Sequence, residues 1–89
     1  MLHHSHPDVT KRLKRAYGHL AKVISMIEEG QDCLLLAQQL HAVEKAVTNA
    51  KAALIHDHLQ NCLDNIATTD SPQRRRQLDD FKAIAKYLS

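Results

Sequence analysis

The sequence predicts an all-α protein: a three-helix protomer with two long helices and one short one. Three observations carry that prediction. Apolar residues recur every three or four positions along most of the chain, the period of a helix face. Glycine and proline, the usual interrupters, occur only twice each in 89 residues. No stretch alternates apolar and polar residues as a half-buried strand would.

The first helix is expected over 7–29. Val9, Leu13, Ala16, Leu20, Ile24 and Ile27 fall on one face. Pro7 suits a first helical turn, Asp8 complements the N-terminal dipole, and Gly30 stops the segment. The second helix is expected from about Asp32 to about Ile66, with a stripe of Leu36, Leu40, Val43, Val47, Ala50, Leu54, His58 and Cys62. Neither Gly nor Pro lies between Cys33 and Ile66, so one helix of ~50 Å is implied at ~1.5 Å per residue. Ala67 to Pro72 reads as a turn, with Asp70 or Ser71 as N-cap. A short third helix follows, with Leu78, Phe81, Ile84, Ala85 and Leu88 on one side. Residues 1–89 read as a single domain, with 1–6 as a flexible His-rich arm.

Such helices cannot enclose a core by themselves, and the second is longer than a globule of this size. Its seam is expected to meet another copy, giving an antiparallel four-helix-bundle homodimer. An ordinary coiled-coil dimer is the alternative reading of the same stripe. Composition narrows the function. Few aromatics and few glycines argue against a catalytic pocket, so the chain is not expected to be an enzyme. Cys33 and His58 could suggest a nucleophile and a base, but no oxyanion-hole loop or orienting third group is evident. No apolar run approaches the ~18 residues of a membrane span. Met1 to His6 is polar and unlike a cleavable leader, so a reducing, cytoplasmic setting is expected, where thiols serve as ligands more often than as staples.

His58 and Cys62 are the polar exceptions on the second helix's seam. Four residues apart, they project from one face and can offer an imidazole nitrogen and a thiolate to one ion. Taken alone they could equally be packed core residues. Cys33 begins the same helix, 25 residues before His58, or ~37 Å along a straight axis. One chain cannot bring them together. An antiparallel partner can, and each dimer would then carry two sites, with Cys33 from one protomer and His58 and Cys62 from the other.

These residues resemble the ligand pattern of the CsoR/RcnR family of bacterial metal-responsive repressors. The likeness extends from Lys11 to Leu88. Arg12-Leu13-Lys14-Arg15-Ala16-Tyr17-Gly18-His19-Leu20 is similar to the family's basic first helix, Met26 to Cys33 to its link, and Gln38-Gln39-Leu40-His41-Ala42-Val43 to the opening of its second helix. The resemblance implies a dimer of dimers that binds operator DNA without a helix-turn-helix. It also implies that effector binding lowers DNA affinity and derepresses an efflux or detoxification gene.

Within the family the effector follows the ligands. Two thiolates and an imidazole suit Cu(I), and the same trio with further nitrogens suits Ni(II) or Co(II). Such nitrogens are at hand in His3, His4 and His6, unless that arm is a tag remnant or a disordered tail. Copper-sensing members carry a Tyr before the first Cys and a Glu on the third helix as partners that support the ligands without binding the ion, whereas here Asp32 precedes Cys33 and Asp79 or Asp80 takes the acidic position. His58 argues against the persulfide-sensing relatives, and a Met-Leu start against the formaldehyde-sensing ones. Ni(II) or Co(II) is therefore the expected effector, with Cu(I) as the alternative. A helical metal buffer or chaperone without a DNA role is the competing reading from another class.

Net charge is only +2, but its distribution is uneven. Up to Ile27 there are five basic residues and one acidic one. Lys11, Arg15 and Lys22 fall opposite the apolar stripe, with Arg12 and Lys14 flanking them and Lys45 extending the ridge from the second helix. Such a ridge suits phosphate contacts, although charge pattern alone is equally that of a solvated face. Arg74, Arg75 and Arg76 form a further basic run of less evident placement. His19 is expected in the scaffold or a polar network, His56 on the surface or a subunit contact, and Asp57 facing solvent; His41 has no assigned chemistry.

Overall fold

The computed structural model describes residues 6–68 and 71–88, with side chains placed over 7–64 and 73–88. Among these residues every regular element is helical: α1 His6–Glu28, α2 Cys33–Thr68, α3 Ser71–Ala85 and a closing 3-10 turn Lys86–Leu88. The expected all-α, three-helix protomer is what the chain forms. Ser71 opens α3 as its first helical residue. Asp70, His3, His4 and the His6 side chain lie outside the described residues.

The short link between α1 and α2 is held by backbone chemistry. Gly30 adopts φ +76°, a left-handed conformation that glycine enters without steric cost. Its N–H donates to Ile27 O at 3.0 Å, and the Gln31 N–H donates to Met26 O at 3.0 Å. Together these close the paired helix-ending bonds of a Schellman motif. Asp32 then caps α2: its Oδ2 accepts from the Leu35 N–H at 3.3 Å while its carbonyl accepts from the Leu36 N–H at 3.0 Å. The carboxylate that precedes Cys33 is thus committed to starting the helix.

The chain divides into two compact units, Pro7–Ala50 and the residues from Lys51 onward, with α2 running from one into the other. In the first, α1 and the opening half of α2 form an antiparallel hairpin. His19 meets Gln39, while Arg12 and Arg15 share a cavity of about 210 Å³ with Ala46 and Asn49. Going toward the start of α1 therefore means going along α2. Val9, Ala16 and Val23 are buried on α1, and Val43 and Ala50 on α2. This seam is narrower than the stripe read from sequence. Leu13, Leu20, Ile24 and Ile27 stay 40–51% exposed, as do Leu40 at 42% and Val47 at 44%. A single partner helix covers only one seven-residue row, here 9, 16 and 23, and leaves the flanking row of the apolar face open. Val23 belongs to the covered row and was absent from the expected face.

In the second unit Ile55 and Cys62 are buried, while Leu54 and Leu63 are not. Phe81, Ile84 and Ala85 of α3 are half-buried as expected, but Leu78 and Leu88 are exposed. Among the described residues the buried apolar set is only Val9, Ala16, Val23, Val43, Ala50, Ile55 and Cys62. A core that small is marginal for an isolated chain.

Candidate metal centre

The second unit gathers three potential donors from two helices. His58 and Cys62 stand one turn apart on α2, and Asp80 reaches them from α3. The three ligand atoms lie within 4.8 Å of one another. His58 Nε2 is 2.7 Å from Asp80 Oδ2, a hydrogen bond in which the ring N–H donates to the carboxylate. The Cys62 thiol also donates to Asp80 Oδ2, at 3.6 Å. One carboxylate oxygen is thus the shared acceptor for an imidazole and a thiol.

Electrostatics follow from that sharing. The hydrogen bond from His58 holds the Asp80 carboxyl below the usual carboxylate range; partial burial opposes this, and the imidazole's charge and the Cys62 thiol assist it. Burial pushes the Cys62 thiol up, and its hydrogen bond to the Asp80 carboxylate and that group's charge add in the same direction. In the absence of an ion, Cys62 is therefore kept as the thiol, which must lose its proton before sulfur can ligate a metal.

The donors fit a transition-metal ion. For bonds of about 2.0–2.2 Å to nitrogen or oxygen and about 2.3 Å to sulfur, neighbouring donors around a tetrahedral ion stand ~3.3–3.7 Å apart. The 2.7 and 3.6 Å edges require only small side-chain movements to reach such spacings. His58 is half-buried and Cys62 buried, whereas the Asp80 side chain is 58% exposed and has room to adjust.

Cys33 is the first residue of α2, exposed, and not part of this group. Asp80 was legible only as one of two adjacent acids; the geometry selects it over Asp79. His56 is exposed, while Asp57 is half-buried rather than solvent-facing and engages other groups. In this unit α3 lies beside α2, with Asp80 reaching His58 and Cys62, so more of the α2 surface is covered than its apolar stripe alone. His41 lies on the exposed side of α2, 3.8 Å from Glu44 Oε1.

The basic residues read from sequence are all exposed: Lys11, Arg12, Lys14, Arg15, Lys22 and Lys45. At about 100° per residue, Lys11, Arg15 and Lys22 stand ~200–240° around α1 from Val9, away from the buried seam. Arg12 Nε is paired with Asp8 Oδ2 at 2.9 Å, an exposed i,i+4 bridge. His19 lies on the same helix with its Nε2 2.6 Å from Gln39 Oε1, part-buried. Its expected place in the scaffold is thus a tie between α1 and α2.

Known proteins resemble this chain. The family described as metal-sensitive transcriptional repressor matches residues 5–87. The copper-sensing transcriptional repressor CsoR of Bacillus subtilis (strain 168) is 34% identical over 81 residues, spanning 89% of this chain and 80% of that protein. The copper-sensing transcriptional repressor RicR of Mycobacterium tuberculosis (strain ATCC 25618 / H37Rv) is 31% identical over 81 residues, 91% of this chain and 84% of that one. Among solved structures, the nickel-responsive transcriptional regulator InrS superposes with a TM-score of 0.84 at 22% identity, covering 100% of this chain and 98% of the other, a likeness of fold.

Proposed function

The chain belongs to the metal-sensitive transcriptional repressor family, and on that premise we propose that Ni(II) or Co(II) is the effector that releases it from operator DNA. The ion would be held by His58 and Cys62 of one protomer and Cys33 of an antiparallel partner. The observation that carries this reading is the convergence of a His58 ring nitrogen and Cys62 Sγ on one spot of the second unit, with ligand atoms no more than 4.8 Å apart. His3, His4 and His6 are the candidates for additional nitrogen donors.

When bound, the ion supplies positive charge and a coordination geometry that the hydrogen-bonded donors lack. The chain's residues do the rest. Cys62 gives up its proton, and His58 exchanges its bond to Asp80 for ligation or keeps it as an orienting contact. Release then requires the ion to bind the DNA-incompetent state more tightly than the competent one, since coupling is reciprocal. On DNA, the exposed Lys11, Arg12, Lys14, Arg15, Lys22 and Lys45 are the proposed phosphate contacts. The exposed apolar row of α1, with Leu13, Leu20, Ile24 and Ile27, suits burial against further copies in a homodimer or homotetramer. A regulator of this kind works in the cytoplasm beside the DNA; no helix among the described residues is long and apolar enough to cross a membrane.

Cu(I) is the second reading, favoured by the copper-sensing relatives CsoR and RicR. Anaerobic titration separates the two. Ni(II) bound by thiolate gives charge-transfer absorption, whereas Cu(I) gives no d–d bands. Retardation of the operator fragment with each ion then shows which one releases the protein. Operator binding indifferent to every ion would overturn the sensor reading and leave a buffer or chaperone role.

A further inference from the structure

The proposed site draws one sulfur from a partner, yet the structure brings a third donor to His58 and Cys62 within the same unit. Asp80 Oδ2 stands 2.7 Å from His58 Nε2 and 3.6 Å from Cys62 Sγ. The two contacts are hydrogen bonds, and each donor can offer a lone pair to a cation instead once its proton has moved away. We propose that Asp80 is a direct ligand, so that His58, Cys62 and Asp80 form a nitrogen–sulfur–oxygen site for a divalent ion, with three donors from one protomer. This rests on the reading that His58 and Cys62 ligate metal.

Three observations carry it. The donors come from two separate helices and converge on one oxygen, so the arrangement is not a chance of helix periodicity. Their ligand atoms lie within 4.8 Å of one another, a span that side-chain adjustment can bring to the ~3.3–3.7 Å of tetrahedral coordination. The Asp80 side chain is 58% exposed against 26% for His58, so it has room to move onto an ion that the two α2 residues hold. On binding, Cys62 releases its thiol proton to solvent and His58 offers Nε2 from the tautomer that carries its proton on Nδ1. No electron changes hands.

The donor set has a consequence for selectivity. Carboxylate oxygen is a hard ligand that suits Co(II), Ni(II) or Zn(II) and adds little for Cu(I), which thiolate and imidazole satisfy. If Asp80 only oriented His58 through a hydrogen bond, its loss would weaken every ion alike, and an amide, which also accepts a hydrogen bond, would restore function.

The test uses the full chain under anaerobic conditions with Co(II) and Cu(I) as separate probes, each competed against a chelator of known affinity. Wild type is compared with Asp80→Asn, Asp80→Ala, Cys33→Ser and His58→Ala, and the Co(II) ligand-field and thiolate charge-transfer bands are recorded. Asp80 is largely exposed, so its variants should fold, and helical circular dichroism checks this. Both Asp80 variants should lose Co(II) affinity by more than the roughly 10–100-fold typical of a missing supporting hydrogen bond, with Cu(I) affinity little changed. Cys33→Ser should still bind Co(II) with reduced charge-transfer intensity. A wild-type Co(II) spectrum and affinity in Asp80→Asn, or equal weakening of both ions, would overturn the proposal, as would loss of all Co(II) binding in Cys33→Ser. Unimpaired binding of both ions by His58→Ala would instead sink the underlying metal-site reading.

Discussion

Two hydrogen bonds of the same shape tie helix to helix in the two halves of this chain, and they differ in what can break them. In the first unit His19 Nε2 meets Gln39 Oε1 at 2.6 Å; in the second His58 Nε2 meets Asp80 Oδ2 at 2.7 Å. The amide acceptor is neutral at every pH and a poor ligand. The carboxylate titrates, attracts cations, and shares its oxygen with the Cys62 thiol. The first tie suits a fixed frame for the basic ridge of α1, while the second suits an element that an ion can rearrange. A sensor needs both kinds of joint.

The largest expected effect breaks the second joint alone. His58→Ala should abolish ion-driven release from DNA, shifting the half-effective metal concentration by about 100-fold or more, beyond what removing a supporting hydrogen bond does. Apo DNA binding should be preserved, as measured by retardation at fixed salt. Equal loss of apo binding would show that the two regions are not separable. The converse variant, Arg15→Ala, should weaken DNA binding. It should also flatten the plot of log affinity against log salt by about 0.9 for each phosphate the protein no longer neutralises. Metal affinity should not move.

Protons sharpen the contrast. Cys62 is held as the thiol by burial and by Asp80, so ligation must expel its proton. Apparent metal affinity should therefore climb about tenfold per pH unit for each proton released, below the pKa of the thiol. A competition titration between pH 6 and 8 measures that slope, with proton release in unbuffered solution as its check. The acceptor opposite His19 is the neutral amide of Gln39, so exchanging it should not alter the slope.

These contrasts were unevenly legible in the sequence. The helices were, because the three- and four-residue spacing, Gly30 and the absence of breakers between Cys33 and Ile66 all act locally. Which apolar residues the chain itself covers was not. Val23 and Ile55 are buried and Leu13 is open because the choice depends on where the neighbouring helix lies, which the period alone leaves open. His58 and Cys62 could be paired from their i,i+4 spacing. The choice of Asp80 over Asp79 needed α3 to be placed, since neighbouring acids differ by ~100° around a helix. Asp32 is legible in the sequence as the acid before Cys33, but only its bond to the Leu35 N–H makes it the N-cap of α2.

The neutral tie gives the next smaller effect. Gln39→Ala leaves the part-buried His19 without its partner and should cost about 0.5–1.5 kcal/mol in denaturant unfolding. Metal affinity should stay within error, because the proposed donors His58 and Cys62 belong to the other unit. A comparable loss of metal affinity would mean that the His19 joint also positions the site.

The smallest expected effect follows from the sign of the Asp80 shift. Its carboxyl is held below the ordinary range by His58, so the unfolded chain takes up that proton at higher pH than the folded one does. The contribution to stability is therefore present above the usual carboxylate pKa and is lost as acid carries the pH down through the folded value. Because the Asp80 side chain is 58% exposed, solvent screens the pair, and the contribution should stay within the about 0–1 kcal/mol of surface ion pairs. Asp80→Asn should remove that acid-side slope from metal-free unfolding curves recorded between pH 5 and 3, while Gln39→Ala keeps it. If the asparagine variant retained the full slope, the titrating joint would have to be elsewhere, and the distinction between the two helix ties would rest on the thiol alone.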